Sequence, residues 1–301
     1  MVSIILLSYN SEETIEETLN SIFLQTYEKI ELILTDDASS DHTVDRVKEW
    51  LGTHEDRFCN VEILTSKNNT GVTANCNRGL RKAKGKYIQF IAGDDIFLPE
   101  AMEIRVAMQK KFPDKIIITK VENFGDPKLS YEREKWCERG YQILKKDRKY
   151  QFRQLLLGNY IAGPSGAFFE RTIYDKVGEY DERFPMVEDY PFLVKLMANG
   201  YEFVLIDRIT TRYRNDSGSI CHSDGISAFA DSMDDFFKLV KGKLLLEKGM
   251  FYSYFVQKIT SVRYGLKKKY GEQSLVYKSS ILLRILNPDL VIKILRKKWT
   301  Q

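Results

Sequence analysis

Five short apolar runs recur through the first 120 residues: VSIILL at 2–7, IELILT at 30–35, VEILT at 61–65, YIQFIA at 87–92 and KIIIT at 115–119, with helix-like stretches between them. No other feature limits the fold as strongly. Near-continuous runs rich in β-branched residues leave neither strand face for water, the pattern of a parallel sheet covered by helices on both sides. The expected architecture is α/β, a doubly wound, mainly parallel sheet. The first helix is expected to open at Asn10, with Glu13 as its capping-box partner, and to lay Ile15, Leu19, Ile22 and Phe23 along one stripe against the sheet.

After residue 120 the rhythm breaks. Residues 126–160 are polar and rich in Lys, Arg and Tyr, and read as one or two helices with an irregular connection. Regularity returns with IAGPSGAFFE at 161–170, a helix near 171–177, EDYPFLVKLMANG at 188–200 and a strand YEFVLI at 201–206. From about 226, Phe229, Met233, Phe236, Phe237, Val240, Leu244 and Leu245 recur at helical spacing, and the chain closes with SSILLRILNPDLVIKILRKKWTQ. The domain reading is therefore an α/β body over 1–220 and a basic helical extension over 221–301. No Gly/Pro/Ser linker separates them, so the tail is expected to pack on the body.

Charge and side-chain stock exclude several functions. The net charge of +4 conceals 15 Lys and Arg against 7 Asp and Glu from Cys221 onward, and 31 against 35 before it. A mildly acidic body is not the footprint of a nucleic-acid reader, whereas a basic, partly amphipathic tail suits an anionic membrane surface. The cysteines Cys59, Cys76, Cys137 and Cys221 form no C-x-x-C pair and read as free thiols. With only His42, His54 and His222 available, acid–base chemistry is expected to rest on carboxylates. No apolar run reaches the roughly 18 residues of a membrane span, and MVSIILLSYN lacks the basic start and long apolar stretch of a signal peptide, so a cytosolic protein is expected.

In an open parallel sheet the ligand crevice lies outside the carboxyl ends of the strands. There the sequence places Ser8-Tyr9-Asn10 after the first run, Asp36-Asp37-Ala38-Ser39-Ser40-Asp41 after the second and Gly93-Asp94-Asp95 after the fourth. Neither G-x-G-x-x-G after the first strand nor G-x-x-x-x-G-K-[ST] anywhere is present, so a dinucleotide fold and a P-loop are unsupported. A carboxylate pair at a strand end can hold a hard cation or accept hydrogen bonds from a ribose or base, or it can simply cap the helix that follows. Glu188-Asp189-Tyr190-Pro191 forms a third acidic site at a helix start, where the N-terminus would help keep Asp189 ionised. Gly163-Pro164-Ser165-Gly166-Ala167 has the outline of a nucleophile elbow without its final Gly, and only His222 follows it, so hydrolysis is not expected.

Three segments in this order resemble the inverting nucleotide-sugar glycosyltransferases of family 2, with their GT-A, Rossmann-like fold: VSIILLSYNSEETIEETLNSIFLQTYEKIELILTDDASSDHT, NNTGVTANCNRGLRKAKGKYIQFIAGDDIFLP and GAFFERTIYDKVGEYDERFPMVEDYPFLVKLMANGYEF. The resemblance covers roughly residues 1–215. It implies that Tyr9 lies against the donor's base, that Asp37 hydrogen-bonds the nucleotide with Asp36 beside it, and that Asn77 belongs to the donor-binding set. It makes Asp95 the ligand of Mn²⁺ or Mg²⁺, puts Asp94 nearer the donor sugar or ribose, and assigns Glu188 and Asp189 to the E-D motif with Asp189 as general base. Arg212, Tyr213 and Arg214, with Ser217 and Ser219, match the late loop that closes over the diphosphate. Two departures stand out: Ala92 replaces an Asp that many relatives carry at the start of the metal motif, and Cys76 replaces the Arg before Asn77.

A divalent ion and nearby arginines would stabilise the leaving nucleoside diphosphate while one carboxylate deprotonates the acceptor, and a single base without a protein nucleophile implies single displacement with inversion. The expected reaction moves a sugar, with UDP as the favoured nucleotide, to an acceptor hydroxyl in cell-surface polysaccharide or glycan synthesis. The expected partners are the nucleotide-sugar and a sugar or lipid-linked sugar acceptor. A peripheral contact with the inner membrane surface through the tail is a further expectation. Two other classes compete: a sugar nucleotidyltransferase, which would want a Gly-rich basic loop where SYNSEET stands, and a non-catalytic sugar-nucleotide binder, which would have no use for Asp189.

Overall fold

The computed structural model describes residues 1–161, 164–216, 226–280 and 282. The apolar runs become strands β1 (Val2–Ser8), β2 (Ile30–Asp36), β3 (Asn60–Thr65) and β4 (Tyr87–Ala92), followed by β5 (Ile96–Phe97), β6 (Ile116–Gly125), β7 (Ala167–Glu170) and β8 (Phe203–Asn215). They form one sheet in the order β3-β2-β1-β4-β7-β6-β8-β5. The β1–β2, β2–β3, β1–β4 and β6–β8 pairs are parallel. Strand β7 runs antiparallel to both β4 and β6, and β5 is antiparallel to β8. The sheet is thus mainly parallel, and β1 is flanked by β2 on one side and β4 on the other. That reversal of strand order opens a crevice at the carboxyl ends of β1 and β4.

Every residue of β1 and β2 is buried, as their unbroken apolar runs require. Helix α1 (Ile15–Phe23) packs Ile15, Leu19 and Ile22 into a core shared with Val2, Ile4 and Leu6 of β1, Trp50 of α2 (Thr43–His54) and Met102 of α4 (Ala101–Lys111). The expected capping box at its start does not form. Asn10 adopts a left-handed φ of 49°, and its Oδ1 accepts from Ser40 N (2.8 Å), tying the exit of β1 to the loop after β2. Helix α1 begins only at Ile15, whose N–H donates to the carbonyl of Ser11. The side chain thus serves a contact 30 residues away in place of the local cap.

Helix α3 (Val72–Lys82) follows β3, and the polar 126–160 segment resolves into α5 (Pro127–Leu144) and α6 (Arg148–Leu157), each opened by an aspartate: Asp126 accepts from Leu129 N and Asp147 from Tyr150 N. Helix α7 (Thr172–Val177) and helix α8 (Asp189–Ala198) complete this part. The strand expected at 201–206 runs on to Asn215, because its second half pairs with an extended β6 across an irregular register near Lys120.

The chain divides into two compact units, Met1–Phe229 and Ala230–Gln301. Helix α9 (Ile226–Phe236) runs across that division. Beyond it come a π-helical turn (Phe237–Lys241), α10 (Gly242–Glu247), α11 (Phe251–Tyr270) and α12 (Leu275–Ser279). In the second unit Lys268 pairs with Asp231 and Lys267 with Glu272, so these two lysines of α11 form a paired helix face. None of the described helices is long and apolar enough to cross a membrane. The basic, apolar stretch at 281–301 lies outside the described residues apart from Leu282.

Candidate active site

The first unit gathers carboxylates where β1, β2 and β4 end. Asp36 is fully buried and accepts from Ser8 Oγ (2.8 Å) and from Ser39 N (2.9 Å) and Oγ. Asp37, buried beside it, accepts from Thr70 N (2.9 Å), Thr70 Oγ1 (2.6 Å), Gly71 N (2.8 Å) and Arg78 (3.2 Å). Ala38 follows at φ 66°, a left-handed conformation that costs a non-glycine residue about 1–2 kcal/mol and recurs at functional sites. Gly71 sits at φ 88°, with Pro185 O 2.7 Å from where a Cβ would stand, so only glycine can bring this N–H to Asp37. Tyr9 leaves the end of β1 with 41% of its surface exposed, a free aromatic face at the crevice.

Asn77 corrects the sequence reading. Its Nδ2 donates to Tyr180 O and Glu182 Oε1 while its Oδ1 accepts from Tyr180 N, so the buried amide is fully used inside the protein and offers nothing to a nucleotide. The cationic contact at this point comes from Arg78, one position on and therefore about 100° around α3, which pairs with Asp37. Cys76 itself is buried.

After β4 the chain turns through Gly93 to the acidic doublet. Asp95 is buried; its Oδ2 accepts from Ser165 Oγ (2.6 Å) and its Oδ1 from Arg214 N (3.2 Å). Arg214 also donates Nε to the Asp94 carbonyl (3.1 Å) and pairs with Glu17. Arg212 and Arg214, two apart on β8, both stack on Phe124 of β6, at 4.6 and 4.5 Å, but Arg212 turns outward to Glu122. Only Arg214 touches the doublet; Ser217 and Ser219 lie outside the described residues.

Burial, then the charge of Asp94, pushes the Asp95 carboxyl up to about 7, and burial raises Asp94 as well. Two adjacent carboxylates whose charge the protein under-compensates fit a divalent cation. Among the described residues no three His, Cys, Asp or Glu side chains cluster as a metal site, so an ion held by Asp95 would take its remaining oxygens from a diphosphate and water.

Glu188 and Asp189 lie half-buried at the start of α8. Asp189 accepts from Tyr190 N (2.6 Å) and from Asn159 Nδ2 (3.0 Å), two donors that favour its ionised form. Burial nevertheless outweighs the helix start and these donors and raises its pKa. Burial, and then the neighbouring Asp189, lift Glu188 further, to about 8. Burial thus raises both carboxyls of the pair, and Glu188 holds its proton into the neutral range.

Three residues escaped the sequence reading. Ser165 belonged to the segment read as a failed nucleophile elbow, and its hydroxyl supports Asp95. Arg105, 0% exposed, donates to Gln89 Oε1 (2.6 Å), Ser165 O (2.8 Å), Thr210 (2.7 Å), Thr211 (2.8 Å) and Thr119 (3.1 Å). Nothing in its helix signals that role. Arg133 on α5 lies where the sequence pattern is least regular.

A mainly parallel sheet with an acidic crevice at the β1/β4 reversal and a buried carboxylate doublet beside it is an α/β domain of GT-A architecture. The family model for "Glycosyl transferase family 2" matches residues 3–178, and the chain belongs to that family. It is 38% identical over 110 residues to "Putative glycosyltransferase EpsE" of Bacillus subtilis, covering 36% of this chain and 38% of that protein. It is 35% identical over 111 residues to "UDP-Glc:alpha-D-GlcNAc-diphosphoundecaprenol beta-1,3-glucosyltransferase WfgD" of Escherichia coli, covering 37% and 42%. The chain thus spans less than half the length of these two curated relatives. Among solved structures, the mannosyltransferase PcManGT of Pyrobaculum calidifontis, in complex with GDP-Man and Mn²⁺, superposes with a TM-score of 0.60 at 17% identity, over 99% of this chain and 82% of that one. TarS 1-349 of S. aureus, in complex with UDP-GlcNAc, does so with 0.59 at 16%, over 96% and 88%. These two likenesses show the fold.

Proposed function

We propose that this protein is a metal-dependent inverting glycosyltransferase that moves a sugar from a nucleoside diphosphate, UDP in the first instance, to a hydroxyl of a lipid-linked sugar in cell-surface polysaccharide synthesis. The observation that supports this reading is the presence of two acidic pairs whose carboxyls burial raises, Asp94–Asp95 after β4, suited to a cation, and Glu188–Asp189 at the start of α8, suited to a base. A binder without chemistry would gain nothing from burying a carboxylate pair at the second place. Tyr9 offers a face for the base, and Asp37, paired with Arg78, is held next to the end of β1 by its N–H to the carbonyl of Ser8. A bound Mn²⁺ or Mg²⁺ would supply charge compensation for the leaving diphosphate. Asp189 accepts the acceptor's proton, and Arg214 orders the Asp94–Asp95 turn through its backbone N–H and its Nε. The acceptor class is supported by the lipid-linked substrate in the name of WfgD, and it gives the enzyme reason to work at the inner membrane surface.

Incubating the protein with UDP-glucose or UDP-N-acetylglucosamine, Mn²⁺ and a GlcNAc-diphospholipid tests this. Product with inverted anomeric configuration is expected. Nucleotide-sugar binding without any transfer would leave only a binding role, and release of pyrophosphate from UTP and a sugar phosphate would make it a nucleotidyltransferase.

A further inference from the structure

We propose that Arg133 is the oxyanion-binding residue of this site and that its ligand is a phosphate, contributed either by the donor's diphosphate or by the acceptor. The inference rests on the transferase reading above and adds a residue that neither the family motifs nor the sequence pattern pointed to.

The guanidinium of Arg133 stacks on Trp136 at 4.4 Å and on Tyr213 at 4.8 Å. Its Nε is buried and has no hydrogen-bond partner. Arg212 and Arg214, on the strand it packs beside, are each neutralised by a carboxylate, Glu122 and Glu17, whereas no described carboxylate forms an ion pair with Arg133. Tyr213, on which it stacks, directly precedes Arg214, whose N–H donates to Asp95. The guanidinium therefore lies beside the strand end that supports the acidic doublet.

Rings against a planar guanidinium restrain the plane and leave its edge donors free, the geometry that recognises oxyanions through two parallel hydrogen bonds. Arg105 shows the structural alternative: its Nε also lacks a partner, but both of its terminal nitrogens donate inside the protein, whereas no described acceptor takes a hydrogen bond from any nitrogen of Arg133. A carboxylate would also suit the fork, but a nucleoside diphosphate necessarily brings phosphate to the Asp95 end.

The test uses the full chain, with Arg133→Gln to remove the charge and Arg133→Lys to keep the charge without the fork, each checked for an unchanged melting temperature. Calorimetry in Mn²⁺ compares UDP with uridine, and a GlcNAc-diphospholipid with the same glycolipid lacking its diphosphate. A loss of about tenfold or more for UDP in Arg133→Gln, with uridine unaffected, assigns the donor's phosphate. The same loss confined to the diphospholipid assigns the acceptor's. In either case Arg133→Lys recovers part of the loss, and it stands in if the Gln variant does not fold. Equal affinities of parent and variant for all four probes overturn the proposal, as do equal losses with and without phosphate. Parent protein that binds none of the probes sinks the transferase reading itself, which is a different result from an unaffected variant.

Discussion

Ser165 Oγ stands 2.6 Å from Asp95 Oδ2 and donates to it, while the carbonyl of the same serine accepts from Arg105 at 2.8 Å. The carboxylate best suited to hold a metal is therefore oriented through a relay that starts in a helix remote from the crevice. Ser165→Ala removes one hydrogen bond to a charged group, worth about 1.5–3 kcal/mol. Mn²⁺-dependent donor binding is expected to weaken by roughly ten- to a hundredfold, with nucleotide binding in the absence of metal unchanged. Calorimetry with UDP-N-acetylglucosamine measures this, and equal affinities with and without the hydroxyl would refute it.

Arg105→Met tests the other end of the relay. It takes from Gln89 Oε1 and the carbonyl of Ser165 their shortest donors, leaving Ser165 O the longer contacts from Gln89 Nε2 and Thr211 Oγ1 (3.4 Å each), and leaves three threonine hydroxyls to repair themselves, of which Thr210 and Thr119 already pair. A loss of about 3–5 kcal/mol in urea denaturation is expected, the scale for breaking a buried polar network. A variant as stable as the parent would mean that the threonines satisfy one another.

Asp95→Ala is expected to abolish metal-dependent donor binding, since it leaves Asp94 as the single carboxylate of the doublet. Asp37→Ala should weaken nucleotide and nucleotide-sugar alike and should also destabilise the fold by about 1–3 kcal/mol, because the Thr70 N–H loses its carboxylate acceptor and the Gly71 N–H keeps only Asn69 Oδ1. Free UDP bound as tightly as before would remove Asp37 from the nucleotide site.

Asp189→Asn is expected to keep near-normal donor affinity and to lose roughly 10²–10⁴-fold in transfer rate, the range for removing a general base. Steady-state kinetics beside donor titration separate the two effects. Lost donor affinity with retained turnover would move Asp189 out of the base role.

Glu188 predicts a pH signature. Its carboxyl is raised from 4.5 to about 8 in the folded chain, so between those values the unfolded chain releases a proton that the native state keeps. Stability contributed by the protonated form is complete below about 4.5, falls as pH rises through that window and is lost above about 8. Thermal melts from pH 5 to 8.5 should decline more steeply for the parent than for Glu188→Gln, which cannot titrate. Parallel curves would contradict the assignment.

The strands that build the crevice were legible because burial on both faces writes itself into consecutive residues: β1, β2 and β4 appear in the sequence within one residue of their ends. The acidic positions after them were legible for the same reason, since a strand end fixes where the crevice falls. The long β8 was not, because its second half is only half-buried and lacks an apolar run, and its register against β6 is set by a partner some 90 residues earlier.

By itself, then, the sequence determined the α/β class, the strand ends and the carboxylates that stand there, all of which follow from periodicities spanning a few residues. Which side chain turns toward the crevice was decided by tertiary structure. Asn77 and Arg78 are neighbours in one helix, yet the first is fastened to Tyr180 and the second to Asp37. The cap expected at Asn10 gave way to a bond with Ser40, and Asp95 acquired its support from Ser165. Such choices depend on partners 30 to more than 100 residues away, so they exist only once the sheet has brought those segments together, and no local pattern of polarity encodes them.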